Sequence, residues 1–146
     1  QVQWLRSLAE DTLFLVRSDV QLAADPLLSS EQLGVGGFNS VRGYREDSLL
    51  TDSGILVSTE VQLPVVRFSE SSVLQVVPFL DIGTGWNVDA DNPDPNTLVG
   101  TGLGLRWESN ALIGRVDWGI PLVDTDRDKD SLQEKGIYFS LQWKPF

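Results

Sequence analysis

The sequence predicts an all-β fold, a transmembrane antiparallel β-barrel to which this chain contributes six or so strands. Three observations carry that expectation. Apolar residues recur with period 2 and not 3.6 almost throughout. Shorter and longer connections alternate strictly, so every long loop leaves the same end of the sheet, as on membrane barrels. Tryptophans fall on the apolar face at both ends of the strands, where indole favours the boundary between hydrocarbon and water.

In chain order, Val2 and Trp4 read as the stub of a strand cut at the N-terminus. Phe14, Val16, Val20 and Leu22 then oppose Arg17, Asp19 and Gln21. Ile55, Val57, Thr59, Val61 and Leu63 oppose Ser58, Glu60 and Gln62. From Val73 to Trp86 the even positions are apolar, while Gln75, Asp81, Gly83 and Gly85 share the odd face. Val99 to Trp107 sets Leu103 and Leu105 against the row Gly100, Gly102 and Gly104, as if to leave room for something inside a barrel. Leu112, Val116, Trp118, Ile120 and Leu122 oppose Arg115 and Asp117, which read as lumen-facing groups paired with neighbouring strands. Ile137, Phe139, Leu141 and Trp143 close the series against Tyr138, Ser140, Gln142 and Lys144. Beside the stub, six strand segments are counted, of about 9 to 11 residues each, a length that fits a tilted span of the bilayer core.

The connections at Ala9 to Asp11 and Ser109–Asn110 read as tight turns, and Val65 to Ser72 as one of middling length. The long loops are 25–53, 87–96 and 123–135. Trp86 and Trp118 lie at the long-loop ends of their strands, Trp107 and Trp143 at the short-turn ends. Four core tryptophans in a soluble sandwich would be the simpler account, but a sandwich has no reason to sort its loops or to divide its indoles between two ends.

Composition narrows the function. A length of 146 residues taken alone suggests one domain. The formal net charge of −10 speaks against nucleic acid, which needs a basic face, and against docking on an anionic lipid surface. Without Cys or His the chain lacks thiolate catalysis, the commonest general base and the commonest metal ligands, so no enzyme, metal or cofactor is expected. The alternating carboxylates Asp124, Asp126, Asp128 and Asp130 suggest a calcium loop, but the central Gly is missing and Glu134 falls one position short. A solvated outer loop fits better, as it does for Asp89, Asp91 and Asp94. Six strands cannot close a membrane barrel, since an open edge is not tolerated in lipid. With no Met and a truncated first strand, a fragment of a longer chain is expected.

The loop 25–53 contains Gly36-Gly37-Phe38-Asn39-Ser40-Val41-Arg42-Gly43-Tyr44, and one strand later comes Phe79-Leu80-Asp81-Ile82-Gly83. These two stretches, in this order and about forty residues apart, resemble the Val-Arg-Gly-Tyr loop and Phe-x-Asp-x-Gly strand motifs of the outer-membrane assembly and two-partner secretion barrel superfamily. The likeness is to the ShlB/FhaC/HecB haemolysin secretion/activation proteins, the transporter component of two-partner secretion. It implies that residues 1–146 are the C-terminal six strands of a sixteen-stranded barrel ending at Phe146, although Pro145 interrupts the alternation before it. Earlier strands and POTRA domains would lie outside this chain. It further implies a loop folded back into the lumen, with Arg42 paired to Asp81. The parity of the strand independently puts the Asp81 carboxylate on the lumen side. Gly43 would allow a tight tip, Gly36 and Gly37 a close approach to the wall. Glu60, on the lumen side of the intervening strand, is a second acidic contact.

The function implied is outward translocation of an unfolded partner protein without nucleotide hydrolysis. Its partners are that secreted exoprotein, the lipid of a Gram-negative-type outer membrane and the rest of its own barrel. A barrel-assembly factor of the same superfamily is the alternative. A soluble acidic β-sandwich or lipocalin-like binding module is the reading from another class.

Overall fold

The computed structural model describes residues 1–125 and 135–145. Among these described residues nine strands follow in order: β1 (Val2–Ala9), β2 (Thr12–Gln21), β3 (Leu33–Val35), β4 (Leu49–Thr51), β5 (Ser53–Ser69), β6 (Ser72–Trp86), β7 (Thr97–Glu108), β8 (Leu112–Pro121) and β9 (Ile137–Trp143). β3 and β4 pair only with each other, forming a small hairpin within the first long loop. The other seven form one antiparallel sheet in the order β1-β2-β5-β6-β7-β8-β9, so each strand lies beside the next one in the chain. That is the up-and-down connectivity of a barrel wall.

Two details differ from the sequence reading. Val2 and Trp4 belong to a strand of eight residues and not to a stub, paired with β2 from Val2↔Ser18 to Ala9↔Thr12, so the sheet has seven strands and not six. The connection expected over Val65 to Ser72 shrinks to Glu70 and Ser71, because β5 runs 17 residues straight through Pro64. Proline is tolerated there because pairing with β2 ends at Leu13↔Gln62, leaving β6 as the neighbour, and a bulge follows between Pro64 and Val66. β5 and β6 therefore reach beyond the β1–β2 turn, where Arg67 pairs with Asp11 and Glu10.

The sheet is inside-out for a water-soluble protein. On β6, Gln75, Val77, Phe79, Asp81, Gly83 and Gly85 are buried, while Leu80 and Ile82 on the opposite face are exposed. On β7 to β9, Leu103, Leu105, Trp107, Val116, Trp118, Ile120, Phe139, Leu141 and Trp143 are all exposed. Among the described residues no second layer packs over this apolar face. In place of the second sheet of a sandwich, what covers the polar face is the loop between β2 and β5. A continuous apolar wall of this extent cannot stay bare in water, whereas hydrocarbon covers it without cost. Trp4 meets Phe14 edge to face at 5.7 Å on β1 and β2. The hydrophobic core proper is small and lies on the polar side, where Val35, Val41, Tyr44 and Leu49 of the loop gather around Leu98.

The last residue, Phe146, and the run 126–134 with most of the carboxylates weighed for calcium lie outside the described residues.

Candidate functional site: an arginine socket on the lumen wall

Strand register arranges the site before any side chain is placed. Ser58 on β5 stands opposite Asp81 on β6, and Asp81 opposite Gly100 on β7. One rung along, Glu60 faces Phe79, Phe79 faces Gly102, and Gly102 faces Gly119 on β8. A further rung aligns Val77, Gly104, Asp117 and Tyr138 across β6 to β9. Because side chains alternate along a strand, these rungs all present the same face. Acidic and hydroxyl groups thus surround a patch of glycine.

The loop tip sits on that patch. Arg42 is buried, and its Nε and Nη2 form a two-pronged contact with Asp81, at 2.7 Å to Oδ2 and 2.8 Å to Oδ1. Its backbone N–H also donates to Asp81 Oδ2 at 3.1 Å. Nη1 donates to Glu60 Oε2 and to Asp117 Oδ1, both at 3.2 Å, and Nη2 donates to Ser58 Oγ at 3.2 Å. The guanidinium lies over the Phe79 ring, 3.6 Å from its centre. Phe79 thus gives the cation a face to lie on, while the fork of donors fixes its direction. Ser58 completes the cradle by donating to Asp81 Oδ1 at 2.6 Å.

Glycines allow this approach. Gly43 has φ +104, and a side chain there would meet the backbone of Ile120 and Pro121 at 2.9 Å. A Cβ at Gly100 would overlap the Arg42 carbonyl oxygen, and one at Gly83 would press on Val35 and Val41 at 2.5 and 2.8 Å. The Gly of Phe-x-Asp-x-Gly therefore seats the loop's apolar core, and the Asp holds its cation. Gly36 and Gly37 shape the turn behind the tip, where the Gly37 N–H donates to the Val41 carbonyl at 3.0 Å.

Several contributors escaped the sequence reading. Tyr138 of β9 accepts the Gly43 N–H at 2.9 Å and donates to the Tyr44 carbonyl, clamping the tip on both sides of one peptide. Tyr44, already named in the loop motif, places its hydroxyl 2.9 Å from the carbonyls of Val99 and Val123, and burial pushes its pKa up. Asp52 ties the loop base together by accepting from Gln32 Nε2 and from the N–H groups of Leu27 and Val88. These donors hold its carboxyl below the usual range, the side chain of Gln32 first among them. Parity alone marked Tyr138 and Ser58 as lumen-facing, but nothing in the sequence aimed them at the tip.

The Tyr138 clamp is testable. Tyr138→Phe leaves a buried N–H and carbonyl without their partner, a loss of about 1–3 kcal/mol for the seated loop. In the full-length protein carrying Ser40→Cys as sole cysteine, labelling by an impermeant maleimide from outside should speed up. An unchanged rate would show that the hydroxyl does not hold the tip.

Comparison with known proteins finds relatives of this chain. The model of the haemolysin secretion/activation proteins ShlB/FhaC/HecB matches residues 1–107. The outer membrane transporter CdiB of Escherichia coli O6:K15:H31 (strain 536 / UPEC) is 30% identical over 124 residues, covering 83% of this chain and 21% of CdiB. Outer envelope protein 39, chloroplastic, of Arabidopsis thaliana is 29% identical over 120 residues, covering 76% of this chain and 29% of that protein. Among solved structures, CdiB from Escherichia coli superposes with a TM-score of 0.71 at 25% identity, over 95% of this chain and 25% of that one. CdiB from Acinetobacter baumannii gives 0.66 at 21% identity, over 95% and 24%, a likeness of fold. The chain thus spans about a fifth of the length of the CdiB sequence it matches.

Proposed function

Because this chain belongs to the haemolysin secretion/activation protein family ShlB/FhaC/HecB, we propose that it is the C-terminal barrel portion of a two-partner secretion transporter. The family is one of transporters, and the sheet is part of a transmembrane β-barrel of the outer membrane. In this reading the protein moves an unfolded exoprotein outward through its lumen. Residues 1–146 supply the last strands of a sixteen-stranded wall, with earlier strands and POTRA domains in the rest of the protein. Loop 25–53 is the gate, and Gly36, Gly37, Val41, Arg42, Gly43 and Tyr44 form its seated tip. Phe79, Asp81 and Gly83 form the seat, with Glu60 as a secondary contact.

The observation that carries the reading is Arg42. A buried guanidinium held by three strands of the wall is more than a loop needs merely to be ordered, and desolvation offsets much of its attraction. Such a contact is better suited to placing a segment in one defined position inside a channel, from which it can be withdrawn.

The test is genetic. Deleting the gene should abolish the appearance of one large exoprotein in the medium and leave the outer-membrane barrels as a class unchanged, with restoration by the intact gene. A general fall in barrel proteins, with no exoprotein lost, would replace this function with barrel assembly.

A further inference from the structure

We infer that Arg115 is a positioning residue for the in-folded loop, a wall-borne guanidinium that competes with Arg42 for Glu60 and Asp117 and thereby makes the loop releasable. The inference rests on the reading of loop 25–53 as a gate, and it concerns how that gate lets go.

The two arginines contend for the same atoms. Arg42 Nη1 and Arg115 Nη2 both donate to Glu60 Oε2, at 3.2 and 2.8 Å, and both donate to Asp117 Oδ1, again at 3.2 and 2.8 Å. Arg115 has the shorter contact in each case. It also takes the other oxygen of each carboxylate, with Nη1 3.1 Å from Glu60 Oε1 and Nε 2.6 Å from Asp117 Oδ2. Arg115 alone therefore reaches both oxygens of Glu60 and of Asp117, sharing its one charge between them, and only Asp81 depends on Arg42 for its cation.

The consequence appears when the loop is imagined away from the wall. Without Arg115, three buried carboxylates would lose their counter-charge together, and buried charge left unpaired is strongly unfavourable. With Arg115 in place, one positive charge stays between Glu60 and Asp117, and Asp81 alone loses every cation contact while keeping the Ser58 hydroxyl at 2.6 Å. Two cations sharing oxygens also repel each other across the low-dielectric lumen wall. Arg115 thus weakens the hold on Arg42 and lowers the cost of the vacant seat. Both guanidiniums border a cavity of about 170 Å³ shared with Glu60, so Arg115 has space to turn once Arg42 leaves.

A purely structural role predicts the opposite sign. Arg115 links β5 to β8 across two intervening strands, and a brace of that kind, once removed, would loosen the socket and free the loop. Maleimide labelling of Ser40→Cys in the full-length protein separates the two accounts. Arg115→Gln should label several-fold more slowly than the parent and show rarer open events in planar bilayers. Arg42→Ala should label faster. Arg115→Lys keeps the charge and loses both forks, so it should label at the parent rate. Faster or unchanged labelling of Arg115→Gln would overturn the inference while leaving the gate intact. If Arg115→Gln does not insert, Arg115→Lys decides, since a brace that has lost its forks would label faster. If Arg42→Ala fails to speed labelling, it is the gate reading itself that falls.

Discussion

Arg42→Ala in the full-length protein is expected to insert normally and to lose most of its secretion of the partner protein. The strand pairs that make the wall do not involve residue 42, so the barrel forms without it. The seated loop, in contrast, loses both prongs on Asp81 together with the contacts to Glu60, Asp117 and Ser58. Breaking a buried ion pair by removing one partner costs about 3–5 kcal/mol. Here Arg115 remains on two of the three carboxylates, which puts the loss at the lower end of that range. Even about 3 kcal/mol shifts a two-position equilibrium by roughly a hundredfold. Heat-modifiable migration on gels reports insertion, and exoprotein in the medium reports transport. Normal secretion with a correctly inserted variant would remove the loop from the mechanism.

Gly100→Val reaches the same loop without touching a charge. Its Cβ would overlap the Arg42 carbonyl oxygen, and that atom belongs to backbone, which cannot swing aside as a side-chain end can. Valine is also a better strand former than glycine, so the wall should gain slightly while the tip loses its seat. We expect secretion to fall as in Arg42→Ala, with outside labelling of Ser40→Cys accelerated in both. The double variant should be no worse than either single one, because both break one docking event and the effects cannot add. A double variant markedly worse than both singles would mean that Gly100 and Arg42 serve separate steps.

How much of this was legible in the sequence differs between wall and loop. A strand writes its sidedness into every second residue, so the face bearing Asp81, Glu60, Arg115 and Asp117 could be read directly. The full length of β5 is not legible because a single chain does not show that β2 is no longer its neighbour at Pro64, nor that a bulge follows. The eight residues of β1 are hard to read as a full strand because their alternation is weak: Arg6 and Leu8 share the face of Val2 and Trp4. Within the socket, the motif resemblance brought Arg42 to Asp81. Ser58, Tyr138 and the doubled hold on Glu60 and Asp117 came only with the register.

The sequence by itself determined the class of the protein: period-2 patterning, sorted loops and indoles at both strand ends specify a wall with lipid on one side. These are local properties, repeated along the chain, and they need no knowledge of which strand meets which. What the tertiary structure decided is where the loop's one buried cation goes and what shares its carboxylates. Glu60 and Asp117 lie on strands separated by two others, and their meeting depends on register across all four and on glycines that leave the space between them open. The sequence specifies each side chain's face, but only the assembled sheet specifies its neighbours.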